Sequence, residues 1–167
     1  MMKSTDKTLS PLVQVSGAVY YSKQVGRDKI NNLVKMVELT IPVFRTLLNL
    51  PEDLMIRLAT HRRYFGTYHN SALTATISPL LKYGKFMQVL AHELVHAEQY
   101  YEGRLSMGIY RGRYVNVWKG VRYDIVTPGV NYNHYRTQPW EAEAYGREEE
   151  LAYEVNRILN ERMFSNS

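Results

Sequence analysis

Two histidines and a glutamate in the segment HELVH, residues 92–96, have the spacing of a metal site. On a helix, residues four apart lie on one face, so the imidazoles of His92 and His96 can bind one ion. Two neutral imidazoles suit zinc, which at catalytic sites has three protein ligands and one open position. Glu93 projects beside them, where it can act as general base on a zinc-activated water. The spacing therefore predicts a hydrolytic zinc site.

The third ligand is expected to be another histidine or a carboxylate, because the chain contains no cysteine. Glu141 is favoured, since it lies at the edge of the apolar stripe of the predicted last helix, whereas Glu143 points away from that stripe. His134 in the preceding loop is the main rival. Glu143 and Glu148 stay open as third ligands; Glu148 lies at the same edge of the stripe as Glu141, where it would otherwise support the site or belong to its rim. An acidic helix N-terminus that complements the helix dipole would explain Glu141 and Glu143 without any metal.

A long helix is predicted to carry the two histidines. It begins at Ser78-Pro79, or only at Gly84, and ends near Glu102 with Gly103 as its C-terminal cap. Its apolar residues form one stripe for the core: Phe86, Leu90, Leu94, Ala97 and Tyr101. The two histidines lie on a different face, as a metal site on a packed helix requires.

Short strands are predicted on both sides of this helix. Residues 72–78 alternate between apolar and polar types, as in a half-buried strand. Residues 110–125 are rich in β-branched and aromatic types on both sides of Lys119-Gly120, which predicts a hairpin. Residues 127–138 have the composition of a loop, and residues 54–58 fit either a short helix or a strand.

Further helices are predicted towards both ends of the chain. Residues 28–39 have apolar positions at helical spacing, Pro42 is expected to interrupt this helix, and a second piece covers residues 44–48. A closing helix starts at Pro139 and continues to about residue 163. The expected fold is α+β: the histidine-bearing helix packs on a small, mainly antiparallel sheet, with further helices at both ends.

The composition limits the classes of protein to consider. With 167 residues, of which 45% are hydrophobic, the chain is expected to form one domain, residues 1–167, with residues 1–10 as a mobile tail. The lack of cysteine excludes disulfides, iron–sulfur clusters and cysteine nucleophiles. No apolar run suits a membrane span or a secretory signal, so no membrane contact and a cytoplasmic location are expected. The charge of +5 is spread over single basic residues apart from Arg62-Arg63, so nucleic acid is an alternative partner that is not favoured.

The chain resembles the zincin metallopeptidases, and more closely their gluzincin type, in which a glutamate on a later helix is the third zinc ligand. AHELVHAEQYYEG is similar to the active-site helix of small bacterial and phage-type metallopeptidases, and RTQPWEAEAYGREEE is similar to their downstream segment. The resemblance covers residues 70–160 and implies that the zinc ligands and the general base are those singled out above: His92, His96, Glu141 and Glu93. It also implies that the strand at residues 72–78 is the sheet edge along which an extended substrate lies.

The resemblance also implies an activity, the hydrolysis of a peptide bond in a protein or peptide by zinc-activated water. Tyr132, Tyr135 and Arg136 are donors near the expected cleft, and one of them is expected to stabilise the oxyanion. The SprT-like family of DNA-associated metallopeptidases is a second resemblance. That family takes its third ligand from a histidine, for which His134 is the candidate here. A binding protein that kept the zincin fold without catalysis is the remaining alternative.

Overall fold

The computed structural model describes residues 5–165. Its short strands form two sheets, and its long helices pack beside them. The first sheet contains β1 Lys7–Thr8, β2 Val13–Val15, β3 Met55–Leu58, β4 Gly66–His69 and β5 Thr74–Ile77. The second contains β6 Leu105–Tyr110, β7 Arg113–Trp118 and β8 Val121–Asp124. The helices are α1 Gly17–Tyr20, α2 Arg27–Leu47, α3 Tyr83–Tyr101, α4 Tyr132–Arg136 and α5 Pro139–Ser165. The protein thus has the mixed α and β composition that the sequence predicts, with long helices before and after α3.

The first sheet has the strand order β1-β2-β3-β5-β4. The β2–β3 and β3–β5 pairs are parallel, whereas the β1–β2 and β4–β5 pairs are antiparallel. The prediction of a mainly antiparallel sheet is therefore wrong for this sheet, although the second sheet is antiparallel throughout. Alternation of apolar residues shows which face of a strand is buried, but not the direction of its partner.

The strand predicted at residues 72–78 forms as β5, but the expectation that it is the edge of the sheet is wrong. β5 lies between β3 and β4, so β4 is the last strand on this side. The chain turns back after β4 through residues 70–73, where Leu73 has a left-handed φ of 47°. This return inserts β5 between two strands that precede it in the sequence, which no local pattern could indicate.

Helix α3 is buried on nearly every side over its central turns. It begins at Tyr83, beside Gly84, the later of the two predicted starts, while Ser78 is still held at the sheet, because its N–H donates to the Phe65 carbonyl (2.8 Å) beside the β4–β5 ladder. The predicted apolar stripe is buried except at its end: Phe86, Leu90, Leu94 and Ala97 are inaccessible to solvent and Tyr101 is 54% exposed. The face that carries the histidines is buried as well, because α5 packs along it.

The end of α3 leads directly into the second sheet. Gly103 terminates the helix as predicted, with φ of +70°, and its N–H and that of Arg104 donate to carbonyls of the last helical turn. The predicted hairpin forms as β7 and β8, with Lys119 and Gly120 both at positive φ in the turn. β6 extends the hairpin to a three-stranded meander.

Two features near the N-terminus differ from the predictions. Helix α2 is continuous through Pro42, because its apolar face is held on both sides of the proline: Val37, Ile41, Val43 and Phe44 are fully buried. Of the predicted mobile tail, residues 1–4 lie outside the described residues. The rest is tied to the first sheet, since Lys7–Thr8 forms β1 and Asp6 pairs with Arg57 at 2.7 Å.

Helix α5 closes the fold and packs against both α2 and α3. It begins at Pro139 as predicted. The residues before it, 127–138, are irregular as expected apart from α4, which is capped by the Asn131 side chain accepting from the His134 N–H (3.0 Å). Among residues 5–165, no helix is both long and apolar enough to cross a membrane.

Candidate metal centre

Three side chains from two helices meet in the buried space between α3 and α5. His92 and His96 direct their Nε2 atoms at each other, 3.2 Å apart. The Glu141 carboxylate lies against both imidazoles, with Oε2 3.3 Å from Nε2 of His92 and Oε1 3.4 Å from Nε2 of His96. All three residues are buried. The structure thus brings the two histidines together with the carboxylate that the sequence favours as third ligand.

The second nitrogen of each imidazole faces a hydrogen-bond acceptor. His92 Nδ1 lies 2.8 Å from Oε2 of Glu148, a carboxylate that accepts. His96 Nδ1 lies 2.9 Å from Gln99 Oε1, and the Gln99 amide nitrogen donates to the Trp140 carbonyl, which assigns the oxygen to the histidine side. Both Nδ1 atoms therefore donate, and both Nε2 lone pairs are directed towards the same point.

The spacing of the donor atoms suits a tetrahedral ion. Zinc–ligand bonds of about 2.0–2.1 Å at tetrahedral angles place neighbouring donor atoms about 3.3 Å apart. The two Nε2 atoms, 3.2 Å apart, agree with this value, and so does each Nε2 with its nearest Glu141 oxygen, Oε2 at 3.3 Å for His92 and Oε1 at 3.4 Å for His96. Glu141 Oε2 is also buried without a hydrogen-bond partner in residues 5–165, and a cation between the three donors would satisfy it. The residues present therefore fit a zinc ion.

Without a metal, protons stabilise the same cluster. Burial lowers the pKa of His92, but the carboxylates of Glu141 and Glu148, one beside each ring nitrogen, outweigh burial and raise this pKa to about 10. For Glu141, burial raises the pKa, while the imidazoles of His92 and His96 beside its carboxylate outweigh burial and lower the pKa to about 2. A proton and a metal ion thus compete for the same imidazole nitrogens.

Glu93 lies on the side of α3 that faces β4. It is buried, and desolvation raises its pKa more than the two neighbouring histidines lower it. A carboxyl group with a raised pKa can both accept and donate a proton near neutral pH. Gly66 of β4 leaves the room that Glu93 occupies, because a Cβ on Gly66 would lie 2.8 Å from Glu93 Oε1 and 2.6 Å from Val89 Cγ1. The close approach of β4 thus sets the position of the Glu93 carboxylate.

An ion-pair network beside the centre holds α5 against α3. Glu98 of α3 is buried and accepts from Arg147 of α5 at 2.7 Å and from Arg104 at 3.3 Å. Glu143, an alternative third ligand in the sequence, pairs with the same two arginines instead of approaching the histidines. Because a buried carboxylate needs these partners, the network favours one register of α5 along α3 and so the position of Glu141.

The other two alternatives to Glu141 also lie apart from the clustered donor atoms. Glu148 contacts the far nitrogen of His92 and accepts from the Gln88 amide at 2.6 Å, so it orients the imidazole. His134 is an exposed residue of α4 and does not belong to the donor cluster. The assembled donors are two histidines and a glutamate.

A cleft gives access to Glu93 from two sides. One cavity of about 780 Å³ includes His92 and Glu148, and a second of about 420 Å³ includes His96 and Glu141. The residues common to both cavities are Tyr64, Gly66, Glu93, Pro128 and Tyr135. The two cavities therefore adjoin, with Glu93 in the wall that they share, and together they make a cleft bounded by β4 on one side and by residues 127–138 on the other.

Among the three predicted oxyanion donors, Tyr135 is the one that lines both cavities. Burial and the nearby Glu141 carboxylate raise the pKa of Tyr135, so its hydroxyl stays protonated and can donate. Tyr132 lines only the larger of the two cavities. Arg136 lines neither of them, and its guanidinium lies 4.5 Å from the centroid of the Tyr145 ring. Tyr135 is therefore the best placed of the three candidates.

Two residues that position the centre were not identified from the sequence. Gly66 stands in the β-prone run YFGTYH, where an isolated glycine indicates a close approach of another element, and this signal could have revealed it. Gln99 follows His96 by three residues, a spacing at which helical side chains touch. Its role depends on the Trp140 carbonyl of α5, which only the packing of the two helices supplies.

Comparison of the chain with protein-family models, curated proteins and solved structures found no match. The chemistry of the centre has to be inferred from its own residues. These are two oriented imidazoles, a carboxylate with an unpaired oxygen, and a further buried carboxylate at the middle of a cleft.

Proposed function

We propose that this protein is a zinc-dependent peptidase in which His92, His96 and Glu141 bind the metal and Glu93 is the general base. The observation that carries the proposal is the convergence of two imidazole nitrogens and one carboxylate, within the reach of a single ion, beside a buried glutamate in a cleft. A structural zinc site is usually closed by a fourth protein ligand and needs no base. Three ligands together with Glu93 are the set that hydrolysis requires.

A zincin-like fold of the gluzincin type is part of this proposal. It is supported by the position of α3 beside an edge strand, β4, that runs antiparallel to its neighbour. It is also supported by α5, a later helix that brings a glutamate to the two histidines. The second of these relationships is the one that the downstream sequence motif implies, whereas the motifs implied a different edge strand, at residues 72–78.

The side chains around the metal have separate tasks in this mechanism. When bound, zinc supplies a Lewis acid that lowers the pKa of water and polarises the scissile carbonyl. Glu93 accepts a proton from the attacking water and passes it to the leaving amine nitrogen. Tyr135 donates a hydrogen bond to the carbonyl oxygen as negative charge develops on it. Glu148 and Gln99 hold the imidazoles in the tautomer that presents Nε2.

An extended peptide is the substrate that the cleft suits best. The outer edge of β4 is the edge of the sheet, so backbone groups there can pair with an added strand. A peptide paired with β4 would pass Glu93, because Gly66 brings this strand into contact with the Glu93 side chain. We therefore place the substrate-binding edge at Gly66–His69 in place of residues 72–78.

The test is cleavage of an unfolded protein, casein, by the zinc-loaded protein. We expect new peptides in mass spectra, loss of cleavage after treatment with ortho-phenanthroline, and recovery when zinc is restored. Recovery excludes damage to the fold by the chelator. Zinc binding without cleavage of casein or of a broad peptide mixture would contradict the peptidase and favour the non-catalytic binding protein.

Gly66→Ala is expected to lower the rate of this cleavage by about a hundred-fold without loss of zinc. The added methyl group would meet Val89 and Glu93 at less than 3 Å, so the general base or the whole edge strand has to shift. Zinc content by elemental analysis and initial rates on the same preparation separate the two effects.

Gly84→Ala is the matched control, because a Cβ on Gly84 meets no atom within 4 Å and alanine favours the first turn of α3. This control should keep wild-type zinc content and wild-type rates. A Gly66→Ala protein with an undiminished rate would show that the approach of β4 does not position Glu93.

A further inference from the structure

The apolar wall of the cleft continues onto the surface of the second sheet. Met107 of β6 and Asn116 of β7 line the same cavity as Glu93 and His96. Strand pairing sets Met107 opposite Asn116 and, two residues further along, Ile109 opposite Tyr114. Directly paired residues lie on the same face of an antiparallel sheet, so Ile109 and Tyr114 extend the cleft wall.

This extension lies on the hairpin of β6 and β7 and consists of Met107, Ile109 and Tyr114. We call it the hairpin face; it is apolar and open to solvent. The exposed fractions of the three residues are 58%, 70% and 65%. At the other end of the same face, Leu105 and Trp118 are buried against Trp140 of α5 and anchor the sheet. The face is therefore anchored to α5 at the end of Leu105 and Trp118, and it is exposed to solvent from Met107 onwards.

On the opposite face of the same sheet the apolar Val115 is buried, and the exposed aromatic ring is covered by cations. Tyr110 lies there opposite Arg113, and the guanidinium groups of Arg111 and Arg122 lie 5.2 Å and 3.8 Å from its ring centroid. Within residues 5–165, no cation covers the ring of Tyr114 in this way. The exposed apolar surface is thus confined to the side that joins the cleft, which indicates a binding role for that side.

We infer that the hairpin face binds an apolar segment of the polypeptide substrate at a distance from the bond that is cleaved. The inference rests on the proposed peptidase activity and names its substrate class as extended polypeptides long enough to leave the cleft. One residue of extended chain spans about 3.3 Å, so about two residues beyond the Met107–Asn116 pair bring a substrate onto Ile109 and Tyr114. Short peptides that fill only the cleft do not reach them.

The test compares two synthetic peptides centred on one bond that the enzyme cleaves in casein, one of about six residues and one of about sixteen. In the double variant Ile109→Ser with Tyr114→Ser, kcat/KM for the long peptide should fall about ten-fold, mainly through KM. The short peptide should be cleaved at the wild-type rate. Tyr110→Ser is the matched control, since it removes an exposed aromatic residue from the other face of the same sheet.

A binding measurement separates this inference from the peptidase itself. In the Glu93→Gln background, fluorescence anisotropy of the labelled long peptide should show about ten-fold weaker binding when Ile109 and Tyr114 are replaced. The inference would be overturned if replacement of Ile109 and Tyr114 left binding of the long peptide unchanged, or left the cleavage rates of both peptides unchanged. Either result would leave the peptidase intact. A dimer that the double variant converts to a monomer would also overturn it, because the face would then bind a second copy of the chain. Absence of all cleavage would sink the peptidase, and the binding measurement would then use labelled unfolded casein in place of the long peptide to test the face.

Discussion

Glu141→Ala protein, purified without added metal, should contain almost no zinc, whereas the wild type should contain about one zinc per chain. Among the described residues, Glu141 is the one whose carboxylate approaches both Nε2 atoms, with Oε2 3.3 Å from that of His92 and Oε1 3.4 Å from that of His96. Loss of partners that merely orient zinc ligands already weakens binding by about 10–100-fold, so loss of a ligand should weaken it by more than about a hundred-fold. Elemental analysis after dialysis, followed by zinc titration, measures the effect.

Glu143→Ala is the matched control for this result. The two glutamates are two residues apart on α5, but Glu143 pairs with Arg104 and Arg147 outside the donor cluster. Its replacement should leave zinc content unchanged and reduce thermal stability only modestly, since these arginines also pair with Glu98. Glu141→Gln, which preserves the side-chain volume, guards against misfolding of the alanine variant. Full zinc content in both Glu141 variants, or loss of zinc in Glu143→Ala, would contradict the assignment.

Glu93→Gln should abolish most cleavage of casein while zinc content stays at the wild-type level. The carboxamide fills the same space beside Gly66 but cannot accept the proton of the attacking water. General acid–base catalysis contributes about 10²–10⁴-fold, and a loss in that range is expected. Initial rates and zinc content measured on one preparation, with thermal unfolding as a check of the fold, test this prediction.

Glu102→Gln is the matched control, because Glu102 follows the last turn of α3 and pairs with Arg104 away from the cleft. Its activity should equal that of the wild type. If Glu93→Gln kept a rate within ten-fold of the wild type while Tyr135→Phe lost activity, proton transfer would have to be assigned to another group.

Predictions based on helical spacing agree well with the structure. The helix that carries His92 and His96, its termination at Gly103, and the start of the last helix at Pro139 are all confirmed. Each depends on contacts within about one helical turn, where spacing, a glycine at positive φ, or a proline at the first position is decisive. Pro42 is the exception, because burial of the surrounding apolar face keeps α2 continuous through it.

Predictions that required the order or direction of strands were less successful. The strand at residues 72–78 is confirmed, yet its assignment to the sheet edge is wrong and the true edge, β4, was not predicted. Both errors have one cause: a strand pairs with residues far away in the chain, so its neighbours are decided by the whole fold. The close contact of Gly66 with Glu93 follows from that same long-range arrangement.

The sequence by itself therefore determined the chemical types at the centre: two imidazoles on one helical face, a glutamate between them, and an acidic segment opening the last helix. The tertiary structure decided which carboxylate faces the imidazoles, because the register of α5 on α3 brings Glu141 to Nε2, Glu148 to Nδ1 of His92, and Glu143 to the arginines. Only packing could make this choice, since these three glutamates lie within two turns of one helix and, apart from Arg147 on α5 itself, their partners are at least 39 residues away in the chain.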